Sequence, residues 1–222
     1  MPFRLPRHAR IVRFAASDGV RLEGRLTPAD RERAAVLCHP HPLYGGSMLT
    51  PVVLTVEQTL QETGYTTLAF NFRGVGGSEG RHGEGRAEVA DVAGALAFLG
   101  EQLGGPPRIQ GIAGYSFGSL AGGRVAAGDS RVAWFLGIAP PLSHYDFGFL
   151  AEARCSVALI AGGRDPYCDP ARLEALAASL PTRPWLRVLD TDHFFAESLD
   201  ALALACRDAV AWADSCRESS AP

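Results

Sequence analysis

The stretch "IQGIAGYSFGSLAG", Ile109–Gly122, sets an apolar run, a serine between two glycines and a small-residue run in immediate succession. The spelling G-x-S-x-G over Gly114–Gly118 admits two readings. One is a tight turn capping an ordinary helix, since serine is a favoured N-cap. The other is a strand, a sharp turn and a helix, with Ser116 projecting alone from the turn. In a chain with 25 glycines the five-letter match means little by itself, so the surroundings decide. Before it, "RIQGIAG" reads as a buried strand; after it, "SLAGGRVAA" reads as a helix of small residues. In that arrangement the serine backbone is strained, and Gly114 and Gly118 lack the Cβ atoms that would collide where strand and helix close on each other.

Further out, the same alternation repeats. "ARIVRFAA" and "VRLEGRL" alternate apolar and polar side chains about "SDG", as a half-exposed hairpin does. "AAVLCH", "TTLAFNF", "VAWFLGIA", "SVALIAGG" and "WLRVLD" are short, nearly continuous apolar runs, the pattern of strands covered on both faces. Between them, residues 51–62, 85–102, 117–127, 170–179 and 197–216 carry apolar residues at helical spacing. A doubly wound α/β domain with a mostly parallel sheet follows, and its chemistry belongs on the loops beyond the C-terminal strand ends. No repeat and no low-complexity linker interrupts residues 1–222, which predicts a single domain, with the tail "ESSAP" frayed.

A serine hydroxyl is a poor nucleophile at neutral pH and needs a base, itself oriented by a carboxylate. "SVALIAGGRDPYCDP" puts Asp165 just past an apolar strand, and "WLRVLDTDHFF" puts His193 just past the last one. The order Ser116, Asp165, His193 therefore sets three complementary groups on three loops of one sheet edge. Asp169 is the nearest substitute for Asp165; Asp190 and Asp192 lie too close in sequence to His193 to orient it. Donors for a developing oxyanion are expected from the backbone N–H of Phe117 and from the loop "HPHPLYGGSM". Counting from His39 favours His41, whereas aligning on Gly45 and Gly46 favours Tyr44 or Leu43, the preferred pair.

These residues resemble the α/β-hydrolase superfamily, and within it the small serine hydrolases near dienelactone hydrolases, over nearly the whole chain. The resemblance rests on "HPHPLYGGSM", "NFRGVGGSEG", "GYSFGS", "GGRDPYCDP" and "DHFF". It implies an α/β-hydrolase fold of about eight strands with an antiparallel N-terminal hairpin, a Ser-His-Asp hydrolase and no cofactor. Dienelactone hydrolases place a cysteine where Ser116 stands, so hydrolysis of small carboxylic esters, or thioesters, is expected instead. "APPLSHYDFGFLAEARC", Ala139–Cys155, leaves room for a turn or two and no substantial cap. Tyr44, Phe117, Tyr145, Phe147, Tyr167 and Phe194 are candidates to line a substrate pocket.

Other readings fit less well. "NFRGVGGSEG" has Glu79 where a G-x-G-x-x-G fingerprint begun at Gly74 needs glycine, so dinucleotide binding is not indicated. Its Arg73 and Ser78 are expected to hydrogen-bond across loops near the site. A metal-dependent hydrolase would use His39 and His41 as ligands, but "HPHP" imposes an extended path and leaves Ser116 without a purpose. A non-catalytic interaction protein on the same fold is the third class. A net charge of -3 argues against nucleic acid and against a basic membrane anchor. The five cysteines show no zinc spacing. With no apolar leader, the reading is a cytoplasmic protein acting on a small-molecule ester.

Overall fold

The computed structural model describes residues 8–218. The chain opens with β1 (Arg10–Ala15) and β2 (Arg21–Thr27), an antiparallel hairpin in which Ala15 faces Arg21. The strands β3 (Asp30–Cys38), β4 (Tyr65–Phe70), β5 (Ile109–Tyr115), β6 (Trp134–Ile138), β7 (Ser156–Gly162) and β8 (Trp185–Leu189) complete one sheet. Its order is β1-β2-β4-β3-β5-β6-β7-β8. β2 pairs antiparallel with β4, and every pair from there to β8 is parallel. β4 and β6 are buried at every residue, as continuous apolar strands between two helical layers must be. β8 is half-exposed, as befits an edge.

One helical layer contains α1 (Pro51–Glu62) and α5 (Leu199–Glu218), whose Val52, Val56, Leu60, Leu202 and Val210 pack with Tyr65, Trp134 and Ile160. The opposite layer contains α2 (Glu88–Leu103), α3 (Phe117–Gly128) and α4 (Pro170–Ser179), which bury Leu96, Leu99, Leu120, Val125 and Leu173 with Val36, Leu68 and Phe135. The chain leaves β3 toward β4 and later returns to β5 on the other side. The sheet's direction of winding therefore switches between β3 and β5, the place where such folds bind ligands.

Several boundaries differ from the sequence pattern, three of them at the start of an element. β3 begins at Asp30, four residues before its apolar run, because Asp30 pairs with Tyr65 of β4 across a register break and Arg33 pairs with Ile109 of β5, at an exposed end where no hydrophobic signal is required. α2 begins at Glu88 rather than residue 85; Gly83 and Gly85 donate their N–H groups to the Glu88 carboxylate and close a loop there instead. α5 begins at Leu199 rather than 197. Between β6 and β7 the chain forms a single short 3-10 helix, Gly148–Glu152, so nothing caps the sheet edge. The tail reading, residues 218–222, falls almost wholly outside the described residues. Among these, no helix is long and apolar enough to cross a membrane.

Candidate active site

The turn between β5 and α3 is built by close approach. A Cβ on Gly114 would sit 2.4 Å from the Gly118 carbonyl oxygen, and one on Gly118 would sit 2.2 Å from that of Cys38. Only glycine permits both, and the helix thereby lies against the β5 and β3 backbones. Ser116 takes φ 53° and ψ −120° between them, a conformation that costs a non-glycine residue about 1–3 kcal/mol. Its N–H donates to the Ile138 carbonyl (2.8 Å), which holds the strained residue against β6. The side chain does not cap α3; its Oγ lies 3.0 Å from His193 Nε2.

The loops after β7 and β8 bring the other two groups in. His193 Nδ1 is 2.7 Å from Asp165 Oδ2. Asp165 Oδ1 accepts the N–H groups of Tyr167 (2.7 Å) and Cys168 (3.2 Å), so both carboxylate oxygens are engaged and the group is held in one orientation. Asp169, the alternative carboxylate, is occupied elsewhere: it caps α4 by accepting from Ala171 and Arg172. Asp190 pairs with Arg164, and Asp192 accepts the N–H groups of Phe194 and Phe195. The Tyr115 hydroxyl donates to the His193 carbonyl at 3.0 Å, tying the last loop to β5. Burial raises the Tyr115 phenol far above its ordinary range, so it remains a donor. As the variable letter of G-x-S-x-G, Tyr115 gives no sequence signal for this anchoring.

The loop after β3 corrects the preferred oxyanion donors. Pro42–Tyr44 form one 3-10 turn that closes at Gly45 (φ 79°). In closing, the N–H of Leu43 goes to His41 Nδ1 (3.2 Å), and those of Tyr44 and Gly46 go to the His41 carbonyl (3.1 Å each). Leu43 and Tyr44 have spent their amides on the turn the glycines make. The N–H groups of His41 and Phe117 have no acceptor among the described residues, and Phe117 opens α3 at the positive end of its dipole.

His39 and His41 do not converge. His39 is fully buried; its Nδ1 lies 2.6 Å from the Pro40 carbonyl and its Nε2 accepts the Phe72 N–H at 3.0 Å. Burial lowers its pKa to about 4, which fixes the ring as neutral. Burial, and after it the neighbouring His82, lower that of His41 as well. Among the described residues no three His, Cys, Asp or Glu side chains are grouped to hold a metal ion. Arg73 and Ser78 do bridge loops, but toward the hairpin and α2: Arg73 binds Asp91 and Asp18, and Ser78 joins Asn71 to Glu23.

An open cleft of about 460 Å³ lies over Ser116. Tyr44, Phe117, Tyr145, Tyr167 and Phe194 line it, as the sequence suggests, together with His41, which the sequence names only as a backbone donor or metal ligand, and His144 and Pro141, which it does not single out. Phe147 is not among them. Its ring packs on Phe149 within the hydrophobic core, because the 3-10 turn that begins after it packs against α3.

Residues 41–154 match the alpha/beta hydrolase fold family. A protein of unknown function from Agrobacterium tumefaciens, assigned to the alpha/beta hydrolases, is 34% identical with a TM-score of 0.83 over 90% of this chain and 94% of that one. A Xanthomonas campestris protein, described as an alpha/beta serine hydrolase without a lid, is 28% identical with a TM-score of 0.81 over 93% and 95%. An uncharacterized Rickettsia prowazekii protein is 33% identical over 201 residues, 85% of this chain and 83% of the relative.

Proposed function

This chain belongs to the alpha/beta hydrolase fold family, and from that premise we propose that it is a serine hydrolase cleaving small carboxylic esters or thioesters through an acyl-enzyme. What carries the reading is the unbroken line from Ser116 Oγ to His193 Nε2 (3.0 Å) and from His193 Nδ1 to Asp165 Oδ2 (2.7 Å). In the neutral histidine the Nδ1 proton is donated to Asp165, which leaves Nε2 bare to accept the serine proton. Ser116 Oγ then attacks the carbonyl carbon. The positive charge formed on His193 is stabilised by a carboxylate that two backbone amides already hold in place, so little reorganisation is needed.

The carbonyl oxygen becomes an oxyanion as the tetrahedral intermediate forms. The N–H groups of Phe117 and His41 are its donors, both fixed before reaction by helix and turn. His193 returns its proton to the departing alcohol as the acyl–oxygen bond breaks. A water molecule then repeats the sequence on the acyl-serine and releases the acid.

The test is covalent. A fluorophosphonate should modify Ser116, located by mass spectrometry, and Ser116→Ala should lose both the label and turnover of a short-chain p-nitrophenyl ester, by about 10^4-fold or more, while keeping its circular dichroism spectrum. Unchanged turnover in Ser116→Ala sinks the assignment. Failure of the wild type to label or turn over favours a non-catalytic member of the fold.

A further inference from the structure

The residues over Ser116 carry a second message, in what they lack as much as in what they are. Among the described residues, none of the side chains lining the cleft is an aspartate, glutamate, lysine or arginine. Asp165, the carboxylate that meets His193, has no exposed side-chain surface and has both oxygens engaged. Glu88, which acts on the His41 and Tyr145 rings from behind, is itself buried and bonded to Gly83 and Gly85. A substrate bearing a fixed charge beside its ester would give up water for a wall that offers no countercharge.

The wall is made largely of rings, which run from the loop after β3 through Phe117, Tyr145 and His144 to the loops after β7 and β8. On the side of the loop after β3, the His41 ring lies 4.6 Å from that of Tyr44 and 4.9 Å from that of Phe117. At the other end, Tyr167 and Phe194 stand edge-on to His193, at 4.8 Å and 5.5 Å with interplanar angles of 73° and 88°. Tyr44 and Phe194 are 86% and 63% exposed, so two large rings face water at the lips of the opening, one on the loop after β3 and one on the loop after β8, strands that lie on different sides of β5. Neither ring is needed to fill the core. Exposed aromatic surface gathered at a concave opening marks a place where apolar surface is covered by a ligand.

Together, the uncharged lining and the two aromatic lips point to a substrate class: we infer that the preferred substrates are uncharged esters that carry an aromatic ring. This rests on the serine hydrolase reading above. The ring enters between the lips, where edge-to-face and offset contacts favour an aromatic over a saturated ring of equal area by about fivefold. The reaction itself is unchanged: water cleaves the acyl–oxygen bond and yields an uncharged alcohol and an acid. The acid is anionic once released, and the uncharged wall then favours its departure.

The experiment compares ethyl 3-phenylpropanoate, ethyl 3-cyclohexylpropanoate and the 4-carboxyphenyl analogue of the first, by acid release at constant pH. The phenyl ester is expected to exceed the cyclohexyl ester about fivefold in kcat/KM. The carboxylate-bearing ester is expected to fall at least tenfold below the phenyl ester, chiefly through KM. In Tyr44→Ser and Phe194→Ser the phenyl-to-cyclohexyl ratio should shrink toward one. A wild-type ratio of one, or equal turnover of the charged ester, overturns the inference. With Ser116 still labelled by a fluorophosphonate, that result leaves the hydrolase reading standing; with no label on Ser116, both fall. A wild-type dimer that dissociates on Phe194→Ser would assign the lips to a second copy of the chain and likewise overturn it.

Discussion

His39 and His193 stand at the ends of two strands of the same sheet, and both are buried. Both have a partner at each ring nitrogen. His39 faces two backbone groups, a carbonyl at Nδ1 and an N–H at Nε2, and neither exchanges a proton under ordinary conditions. His193 faces a carboxylate and a hydroxyl, one able to stabilise a positive ring and the other able to lose a proton to it. Burial is common to both, so burial does not make a histidine reactive. The chemistry of its two partners does.

The sharpest way to break this contrast is to remove each ring. His193→Ala should lower kcat by about 10^4-fold or more, with a smaller loss of stability than at the other site. His39→Ala should do the reverse. It strands the Phe72 N–H in the interior and opens a cavity, a cost of about 2–4 kcal/mol that appears as a lower urea midpoint of unfolding. The folded fraction should still label at Ser116 with a fluorophosphonate. Equal kinetic losses in the two variants would erase the distinction.

The partners of His39 also predict how its fold responds to acid. His39 has a pKa of about 4 in the fold, because burial disfavours the charged ring, against an ordinary value of 6.5 when unfolded. Between those values the unfolded chain binds a proton that the native chain does not, so stability rises with pH. The contribution is fully present above about pH 6.5 and is lost as pH falls toward 4, a change of about 3 kcal/mol. His39→Gln replaces the ring with a side chain that does not titrate. Unfolding by urea from pH 7 to 4 should show a shallower pH slope in the variant than in the wild type. Parallel slopes would mean that His39 takes up a proton without leaving its place.

How these features were legible in the sequence follows from what each one requires. The five interior parallel strands, the five helices and the elbow glycines declare themselves because continuous apolar runs, helical periodicity and missing Cβ atoms are local requirements. Ser116, Asp165 and His193 are legible because a reactive serine needs two complementary groups, and only certain strand ends supply them. The start of β3 is silent because Asp30 and Arg33 pair across an irregular, exposed end that needs no apolar side chain. Leu43 and Tyr44 look like free donors because the sequence shows the glycines that bend the loop but not the hydrogen bonds that close it. The turn spends those amides on His41 and leaves that residue's own N–H uncommitted. Phe147 looks like a lining residue for a related reason: an aromatic residue near the site carries no mark of the direction in which its turn faces.

Asp165 and Asp169 repeat the lesson of the two histidines at closer range, four residues apart after β7. Each accepts two backbone N–H groups with one oxygen. They differ at the second oxygen, which in Asp165 meets His193. Asp165→Asn should preserve much of the turn and yet lower kcat by about 10^3–10^4-fold, because an amide at that position no longer selects the histidine tautomer with a bare Nε2. Asp169→Ala removes the cap of α4, worth about 1 kcal/mol of stability, and should leave kcat within about threefold of the wild type. If Asp169→Ala lost more kcat than Asp165→Asn, the carboxylate that orients His193 in solution would be the helix cap, and α4 would have to shift to supply it.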